Sequence, residues 1–402
     1  MDKIQNQKHP RETFYYGLSR MFERASFYGF RTLVVLYMTG EVLKMDNAEA
    51  FSIYGFFVGA LVFSQIIGAL FGDLLIGNRK SVIIGGILQA IGAFTLCLPS
   101  TIGLYVGLFL IVLGSGFFTP NIISNFGKLY LNKTKLLDSG FTIFYLAINL
   151  GSFFGIILIG YLGDSFGYNT GFIGAGILML LAIVPILFSK EPTLNAIDKC
   201  ELPINKRIVK ISIAMLVVAL FWGIYEIANI RFFDLQMQLI DVSTLSISKT
   251  TWQSINAIFM IPVSLIAIVL WTYFYSSQFF KLTIGFIFGV LSLGLLFLIP
   301  EVPTDEHTMF YLVSLLFLAI SEIHIAPIIH SILTKYANPK YLAILISLAF
   351  VPTTVIHYGF GLYITELYDN PILGLTFAIT SMAIIGVGLV GYIWWDKKKP
   401  SV

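Results

Sequence analysis

Apolar runs long enough to cross a bilayer, about 20 residues each, recur along the whole sequence. The runs lack the alternating pattern of barrel strands, and backbone groups in lipid must pair within helices or closed barrels. We therefore predict an all-α membrane protein with twelve transmembrane helices. The predicted spans are 14–38, 51–76, 81–98, 103–127, 138–163, 169–188, 208–238, 252–274, 281–300, 309–334, 341–366 and 372–395.

The composition excludes several classes of protein. Hydrophobic residues make up 57% of the chain and charged residues only 12%, whereas a soluble protein carries roughly 25% charged residues. We therefore exclude a soluble enzyme, a nucleic-acid binder and a disordered chain, and expect the lipid bilayer as a partner. Arg20 and Arg24 in the first span argue against a cleaved signal peptide.

Lysine and arginine predict the orientation, because cytoplasmic segments carry an excess of both. With the N-terminus inside, the external segments hold only Lys44 and Lys249. We predict an inner-membrane (plasma-membrane) protein with both termini cytoplasmic. The basic residues then on the cytoplasmic side are Lys3, Lys8, Arg11, Arg79, Lys80, Lys128, Lys133, Lys135, Lys190, Lys199, Lys206, Arg207, Lys210, Lys281, Lys335, Lys340, Lys397, Lys398 and Lys399.

A basic linker divides the chain into two halves of six predicted helices. We predict an N-terminal bundle over residues 1–190, a cytoplasmic linker over 191–207 and a C-terminal bundle over 208–402. This is the arrangement of major-facilitator transporters, in which two bundles rock around a midplane site.

Charged residues inside the spans are the candidate functional groups, because a charge at the bilayer centre costs about 2.5–3.5 kcal/mol. At about 100° per residue, the charged residues of the first span share one face with two aromatic residues. That face suits a water-filled path rather than a fully paired packing surface. Its members are Arg20, Glu23, Arg24, Phe27, Tyr28 and Arg31.

Other spans carry fewer charges, and their roles stay open at this point. In the seventh span Glu226, Asn229 and Asp234 share a face, and Arg231 either pairs with Asp234 or reaches the outer interface. Glu322 is the only Asp, Glu, Lys or Arg of the tenth span. Asn149 and Asn256 either bond to other helices or contact a substrate.

Several motifs resemble those of the proton-dependent oligopeptide transporters, a family of the major facilitator superfamily. Residues 20–31, RMFERASFYGFR, resemble the family's E-x-x-E-R-F-x-x-Y-G-x-R. Residues 72–80, GDLLIGNRK, resemble the superfamily loop in which an acid and basic residues clasp the inner gate. Residues 138–152 contain FYLAINLGS, a close match to F-Y-x-x-I-N-x-G-S. The resemblance is specific up to residue 190 and looser afterwards.

The resemblance implies a role for each matching residue. Arg24 would bind a peptide carboxylate, aided by Arg20 and Tyr28, and the amino end would contact a set of polar residues in other spans. Glu23 and Glu226 would carry the proton. Arg31 with Asp234 would form the outer gate, and Asp73 with Arg79 the inner gate. The predicted ligands of the amino end are Asn149, Asn256 and Glu322.

Two positions depart from the family pattern. Arg20 replaces the first glutamate of the motif, and Thr119 in GSGFFTPN replaces a lysine. Arg20 either compensates, by reaching into the volume of the lysine and pairing with Glu23, or makes the pocket select substrates with additional negative charge.

The function predicted from these features is proton-coupled symport of di- and tripeptides by alternating access, through a monomer that uses no cofactor besides the proton. The alternative is a major-facilitator carrier of another small solute, such as a siderophore-type or carboxylate compound, or an exporter. We do not expect an enzyme, because no metal-ligand cluster, nucleophile elbow or phosphate loop accompanies the buried charges.

Overall fold

The computed structural model describes residues 8–192, 200, 202–245, 249–361 and 370–398, and these residues form helices and no strand. Thirteen α-helices lie in the described part of the chain. They are α1 (Glu12–Thr39), α2 (Asn47–Leu70), α3 (Asn78–Thr95), α4 (Thr101–Lys128), α5 (Leu137–Phe166), α6 (Tyr168–Phe188), α7 (Ile204–Val242), α8 (Lys249–Tyr273), α9 (Gln278–Phe297), α10 (Thr308–Ile323), α11 (Ala326–Tyr336), α12 (Leu342–Gly361) and α13 (Pro371–Lys398). A π-helical segment, Phe71–Ile76, continues α2, and short 3-10 turns cover Thr134–Leu136, Asp305–His307 and Pro339–Tyr341.

The predicted all-α membrane fold is confirmed, and each predicted span coincides with helix. Ten stretches of the described chain are long and apolar enough to cross a membrane. The helices α1 and α3 are not among them, because α1 carries buried charges and α3 begins with Asn78, Arg79 and Lys80. The end of the eleventh span, 362–366, lies outside the described residues, as do Lys3, Lys199 and Lys399.

The tenth predicted span is not one continuous helix. The helix α10 ends at Ile323, and α11 begins at Ala326. Pro327 causes the break, because proline has no N–H to donate to the carbonyl of Ile323 and its ring clashes with that carbonyl. Glu322 therefore lies in the last turn of α10 rather than in the middle of a helix.

The first compact unit comprises Met1–Glu201 together with Leu333–Leu348. Within it α1 packs on α5 and α6, and α4 packs on α2 and α3. Every residue of α4 from Gly114 to Lys128 is buried. At the end of α4, a Cβ on Gly127 would lie 2.4 Å from the hydroxyl of Thr334, so only glycine permits this close approach.

The second compact unit comprises Leu202–Ile332 and Ala349–Val402. Within it α10 packs on α8 and α9, and α13 packs on α7 and α9. At one end of this unit Lys210 of α7 forms an ion pair with Asp396 of α13, with a nitrogen–oxygen distance of 2.5 Å. The division into halves predicted from the linker stays a prediction.

Side-chain caps and glycines fix where several helices begin. Asp46 accepts from the amide of Ala48 at the start of α2, and Ser100 accepts from Gly103 at the start of α4. Such caps satisfy backbone donors that have no partner within the helix. Gly77 precedes α3 at φ 86° and Gly167 precedes α6 at φ 87°, a region of backbone conformation that favours glycine.

Candidate functional site

Hydrogen bonds and glycines hold α1 in place. Ser19 donates to the carbonyl of Ala182, and Ser26 donates to that of Ala175, each over 2.7 Å. These bonds fix the register of α1 against α6. On the α5 side a Cβ on Gly151 would lie 2.1 Å from the carbonyl oxygen of Met21. Small residues of this kind let membrane helices approach closely.

A buried cluster of three charged side chains lies on α1. Arg20 donates through Nη1 to Oε2 of Glu23 over 2.8 Å, and through the same nitrogen to the hydroxyl of Thr119 over 3.2 Å. Arg24 donates to both oxygens of Glu23, through Nε over 2.7 Å and through Nη2. Glu23 is fully buried and Arg20 is 4% exposed. The predicted face of the first span therefore brings these charges into direct contact.

Aromatic rings surround the two arginines of this cluster. The guanidinium carbon of Arg24 lies 4.6 Å from the ring centre of Phe27 and 5.6 Å from that of Tyr28. The guanidinium carbon of Arg20 lies 6.0 Å from the ring centre of Phe144. Rings at these distances attract cations but accept no strong hydrogen bond from them.

Arg31 lies further along α1 and contacts aromatic residues of its own unit. Its Nε donates to the hydroxyl of Tyr54 over 2.6 Å. Its guanidinium carbon lies 5.4 to 5.6 Å from the ring centres of Phe27, Tyr28 and Tyr54. The pairing of Arg31 with Asp234 stays a prediction.

Asp73 is the centre of a second buried network, near the start of α3. Asn78 donates to Oδ1 of Asp73 over 2.9 Å, and Nζ of Lys128 lies 3.8 Å from the same oxygen. The other oxygen of Asp73 accepts from the backbone amide of Ile344 over 2.9 Å. This amide belongs to the first turn of α12, where a carboxylate stabilises the positive end of the helix dipole.

Two asparagines extend this network. Lys128 donates to Oδ1 of Asn78 over 2.6 Å, and Asn78 donates to Asn121 over 2.7 Å. Asn121 in turn donates to the carbonyls of Gly68 and Phe117. The sequence analysis did not identify Asn78, Asn121 or Lys128 as members of a site. Asn78 and Lys128 fall between predicted spans and Asn121 falls inside one, so the sequence gives no indication of their partners.

Arg79, which precedes Lys80 at the start of α3, binds the end of α6. Its guanidinium donates to the carbonyl of Ile186 over 3.1 Å and to that of Leu187 over 2.9 Å, at the end of α6. Basic side chains commonly bind the last carbonyls of a helix in this way. The basic residue next to Asp73 is thus Lys128, and the gating role of Arg79 stays a prediction.

The structure resolves the open alternative for Arg231, which forms an ion pair with Asp234. Its Nη1 lies 2.6 Å from Oδ2 of Asp234, and its Nη2 donates to the carbonyls of Ile299 and Pro300 over 3.1 and 2.9 Å. Gln238 donates to the other oxygen of Asp234. The arrangement fixes α7 against the segment that follows α9.

A cavity of about 160 Å³ lies within the second unit, among α7, α8 and α10. Three amide side chains, those of Asn229, Gln236 and Asn256, line it together with Tyr225 and Tyr311. Among the described residues, the carbonyl oxygen of Asn256 is buried and has no hydrogen-bond donor. Asn256 thus offers a free acceptor at this cavity.

The remaining candidates take different positions. Glu226 is exposed on α7, one residue from Tyr225. Glu322 is 8% exposed at the end of α10. Asn149 donates to the carbonyl of Tyr145 in its own helix over 3.0 Å. This bond leaves its side-chain carbonyl as an acceptor.

Charged side chains buried on helices that cross a membrane mark candidate substrate or ion pathways. The chain belongs to the Major Facilitator Superfamily, whose family model matches residues 17–356. Membership in this superfamily classes the protein as an integral membrane transporter and not as an enzyme.

Named relatives show a closer likeness over part of the chain. A peptide transporter of Yersinia enterocolitica, YePEPT, is 37% identical over 174 residues, which are 42% of this chain and 34% of that protein. A di-/tripeptide transporter of Lactococcus lactis subsp. lactis is 35% identical over 196 residues, 45% and 39% of the two chains. The matches therefore span less than half the length of these relatives.

A solved structure has the same fold over nearly the whole chain. The crystal structure of peptide transporter POT in complex with sulfate superposes with a TM-score of 0.65. The superposition covers 95% of this chain and 94% of that one, at 21% identity. The likeness establishes the major facilitator fold.

Proposed function

We propose that the protein is a proton-coupled symporter of di- and tripeptides. The observation that carries the proposal is the buried cluster of Arg20, Glu23 and Arg24, which holds a guanidinium ready for a carboxylate. A charge-assisted bond between arginine and carboxylate is among the strongest that a neutral peptide zwitterion can make. The relatives named as peptide transporters support the same substrate.

We assign the binding roles as follows. Arg24, with Arg20 and Tyr28 beside it, binds the peptide carboxylate. Asn149, Asn256 and Glu322 bind the peptide amino end. The buried acceptor of Asn256 supports this role, because it gains from an incoming N–H donor.

The coupling and gating roles complete the proposal. Glu23 and Glu226 are the candidate proton carriers. Asp73 forms the inner gate by accepting a hydrogen bond from the amide of Ile344 in α12. Arg79 supports this gate by fixing α3 to α6. Arg31 and Asp234 serve the outer gate. The protein acts as a monomer in the plasma membrane, with the segments before α1 and after α13 on the cytoplasmic side.

Uptake by proteoliposomes tests this function. Labelled dialanine should accumulate when an inward proton gradient is imposed, and an ionophore that collapses the gradient should abolish accumulation. Unlabelled tripeptides should compete, whereas free amino acids and siderophores should not. No accumulation of dialanine, or competition only by siderophores, would contradict the proposal.

A carrier of other small carboxylates is a second candidate. The positive charge left over in the α1 cluster favours it, because any carboxylate gains from that charge. Addition of short carboxylic acids to the same competition panel separates the two functions. Strong competition by acids that lack an amino group would favour the second candidate.

A further inference from the structure

The chain that leads into α1 is bonded to the turn that follows α4. Nδ1 of His9 lies 2.9 Å from the hydroxyl oxygen of Tyr130, and the hydroxyl of Thr13 lies 2.7 Å from the same oxygen. On the other side of His9, Nζ of Lys133 donates to the backbone carbonyl of Lys8 over 2.7 Å. We call these three contacts the clamp, because they hold the start of α1 against one short turn.

Tyr130 is a rigid anchor for the clamp. Its side chain is fully buried, and a Cβ on Gly140 of α5 would lie 2.5 Å from its ring, so only glycine permits this packing. A neutral His9 can accept at Nδ1 from the hydroxyl of Tyr130, whose oxygen then accepts from Thr13. A protonated His9 has no acceptor at Nδ1, so this direction of the bonds requires the neutral ring.

His9 is the member of the clamp that titrates near physiological pH. Burial, and then the positive charge of Lys133, hold the pKa of His9 below its ordinary value of 6.5. Burial raises the pKa of the Tyr130 phenol, which therefore stays neutral beside it, and the group that faces this phenol from α1 is the hydroxyl of Thr13. The clamp thus favours the neutral imidazole. It is complete above pH 6.5 and is lost as the pH falls through the lowered pKa.

Aromatic rings connect Tyr130 to the charged cluster of α1. The ring centre of Phe126 lies 5.4 Å from that of Tyr130 and 4.6 Å from that of Phe144. The ring centre of Phe144 lies 6.0 Å from the guanidinium carbon of Arg20. Thr13 provides a second connection, because it precedes Arg20 by about two turns of the same helix. A close-packed interior transmits strain, so release of Tyr130 can change the position of Arg20.

We propose that the clamp is a pH-sensitive switch, with His9 as its titrating group, and that protonation of His9 weakens peptide binding at the α1 cluster. The second half of this inference rests on the proposed function of peptide symport. Protonation places a second cation beside Lys133 in a half-buried position, which favours release from Tyr130. With the predicted orientation the clamp lies on the cytoplasmic side. Acidification of that side by proton symport would then reduce further uptake.

Hydrogen exchange tests the clamp without any substrate. Peptides that cover residues 8–16 are measured by mass spectrometry in the wild type and in two variants. His9→Asn keeps a neutral acceptor near the position of Nδ1, and His9→Lys is a permanent cation. At pH 7.5 the wild type should exchange as slowly as His9→Asn, and His9→Lys at least about fivefold faster. At pH 5 the wild type should exchange at least about fivefold faster than His9→Asn. Equal exchange in the wild type and His9→Asn at both pH values would overturn the inference.

The affinity for dialanine tests whether the clamp acts on the α1 cluster. The readout is the ratio of the wild-type Kd to the Kd of His9→Asn at the same pH, because the effects of other titrating groups cancel in this ratio. It should be about one at pH 7.5 and at least about threefold higher at pH 5. Tyr130→Phe retains the stacked rings without the hydroxyl, so its Kd should be raised at both pH values. A ratio that does not change with pH would overturn the second half of the inference.

The failure of the proposed function has a different signature. A wild type that binds no dialanine at either pH would contradict peptide transport. The exchange of residues 8–16 would still decide in that case whether His9 controls the clamp.

Discussion

The buried guanidinium groups of Arg20 on α1 and Arg231 on α7 find their hydrogen-bond partners in different ways. Arg231 of α7 pairs with one carboxylate and directs its other nitrogen to the carbonyls of Ile299 and Pro300. Arg20 of α1 shares its carboxylate with Arg24, and its guanidinium Nε has no acceptor among the described residues. The charges of the Arg231–Asp234 pair balance, whereas those of Arg20, Glu23 and Arg24 leave one positive charge over.

We propose that this difference separates a structural ion pair on α7 from a binding site on α1. Backbone carbonyls at the end of a helix satisfy donors permanently, so the α7 cluster is complete without a ligand. Its carboxylate, Asp234, is 40% exposed, which lowers the cost of the pair further. In the proposed function, the α1 cluster is completed by the substrate carboxylate. Charge balance and carbonyl contacts are therefore the features by which we propose Arg20 and Arg24, and not Arg231, as the functional arginines.

Charge reversal on α1 should have the largest effect. Arg20→Glu gives the cluster a net negative charge, which repels a substrate carboxylate. Two unit charges 4 Å apart interact by about 4 kcal/mol at an effective dielectric of 20, so we expect uptake of dialanine to fall at least about 100-fold. Uptake rates in proteoliposomes measure this effect.

The double change Arg20→Glu with Thr119→Lys sharpens this prediction. It restores a neutral cluster, and uptake should return to within about tenfold of the wild type. If the altered-selectivity alternative holds instead, the double variant gains transport of neutral dipeptides and loses the native substrate. A double variant that folds and carries nothing would count against both.

Removal of Arg231 should affect stability more than transport. Arg231→Met removes three hydrogen bonds of a charged group, and we expect a loss of about 2–4 kcal/mol in the free energy of unfolding. Thermal unfolding in detergent, followed by intrinsic fluorescence, measures the loss. Arg231→Lys preserves the charge without the forked geometry, so its free energy of unfolding should lie between those of the wild type and Arg231→Met. A large change in KM for dialanine with unchanged thermal stability would place Arg231 in the site.

Loss of the Thr119 hydroxyl should weaken dialanine binding at the α1 cluster, by less than charge reversal at Arg20 does. Thr119→Val preserves the shape and removes an acceptor of Arg20, at a cost of about 1–2 kcal/mol. The affinity for dialanine should fall about five- to 30-fold. Thr119→Ser retains the hydroxyl and serves as the control. Equal affinity in both variants would show that the bond to Arg20 does not affect binding.

Loss of an exposed contact in the second unit should have the smallest effect, and transport should not change. The amide and hydroxyl of Thr244 donate to Asp305 over 2.7 and 2.8 Å and hold the pKa of its carboxyl below the ordinary value of 3.8. A lowered pKa means that the stabilisation is complete above the ordinary value and is lost as the pH falls through the lowered one.

Asp305→Asn should therefore speed hydrogen exchange at the Thr244 amide at pH 7 by a few-fold and leave transport unchanged. Asp241→Asn, a substitution of another acid near the same end of α7, is the matched control. The difference between Asp305→Asn and the wild type should disappear below the lowered pKa. Exchange that stays different there would show that the carboxylate does not cause the protection.

Much of the fold was predictable from local features. Hydrophobic runs predicted the helices, because lipid acts on each apolar residue individually. Pro327 also indicated the break between α10 and α11, because proline cannot continue a helix. The predicted tenth span nevertheless ran through it. The face shared by Arg20, Glu23 and Arg24 followed from helical geometry alone, since these residues lie within one and a half turns.

Contacts between distant segments were not predictable. Arg79 and Lys128 are both basic and both predicted on the cytoplasmic side, yet Lys128 lies next to Asp73 whereas Arg79 donates to a carbonyl at the end of α6. Lys281, which is predicted on the cytoplasmic side, is fully buried, with its nitrogen 4.5 Å from the ring centre of Trp271, and nothing in the sequence indicated this contact. In each case the partner is on another helix.

The sequence by itself determined that the chain crosses a membrane as helices and that α1 carries buried charges on one face. Both properties depend on residues within a few turns of one another. The tertiary structure alone decided which charges are satisfied. Arg231 is satisfied because the end of α9 brings two carbonyls to it. Arg20 is not, because Thr119 and Phe144 are its neighbours from α4 and α5, and neither supplies a negative charge. Which helices become neighbours depends on the packing of the whole bundle, and no local pattern encodes it.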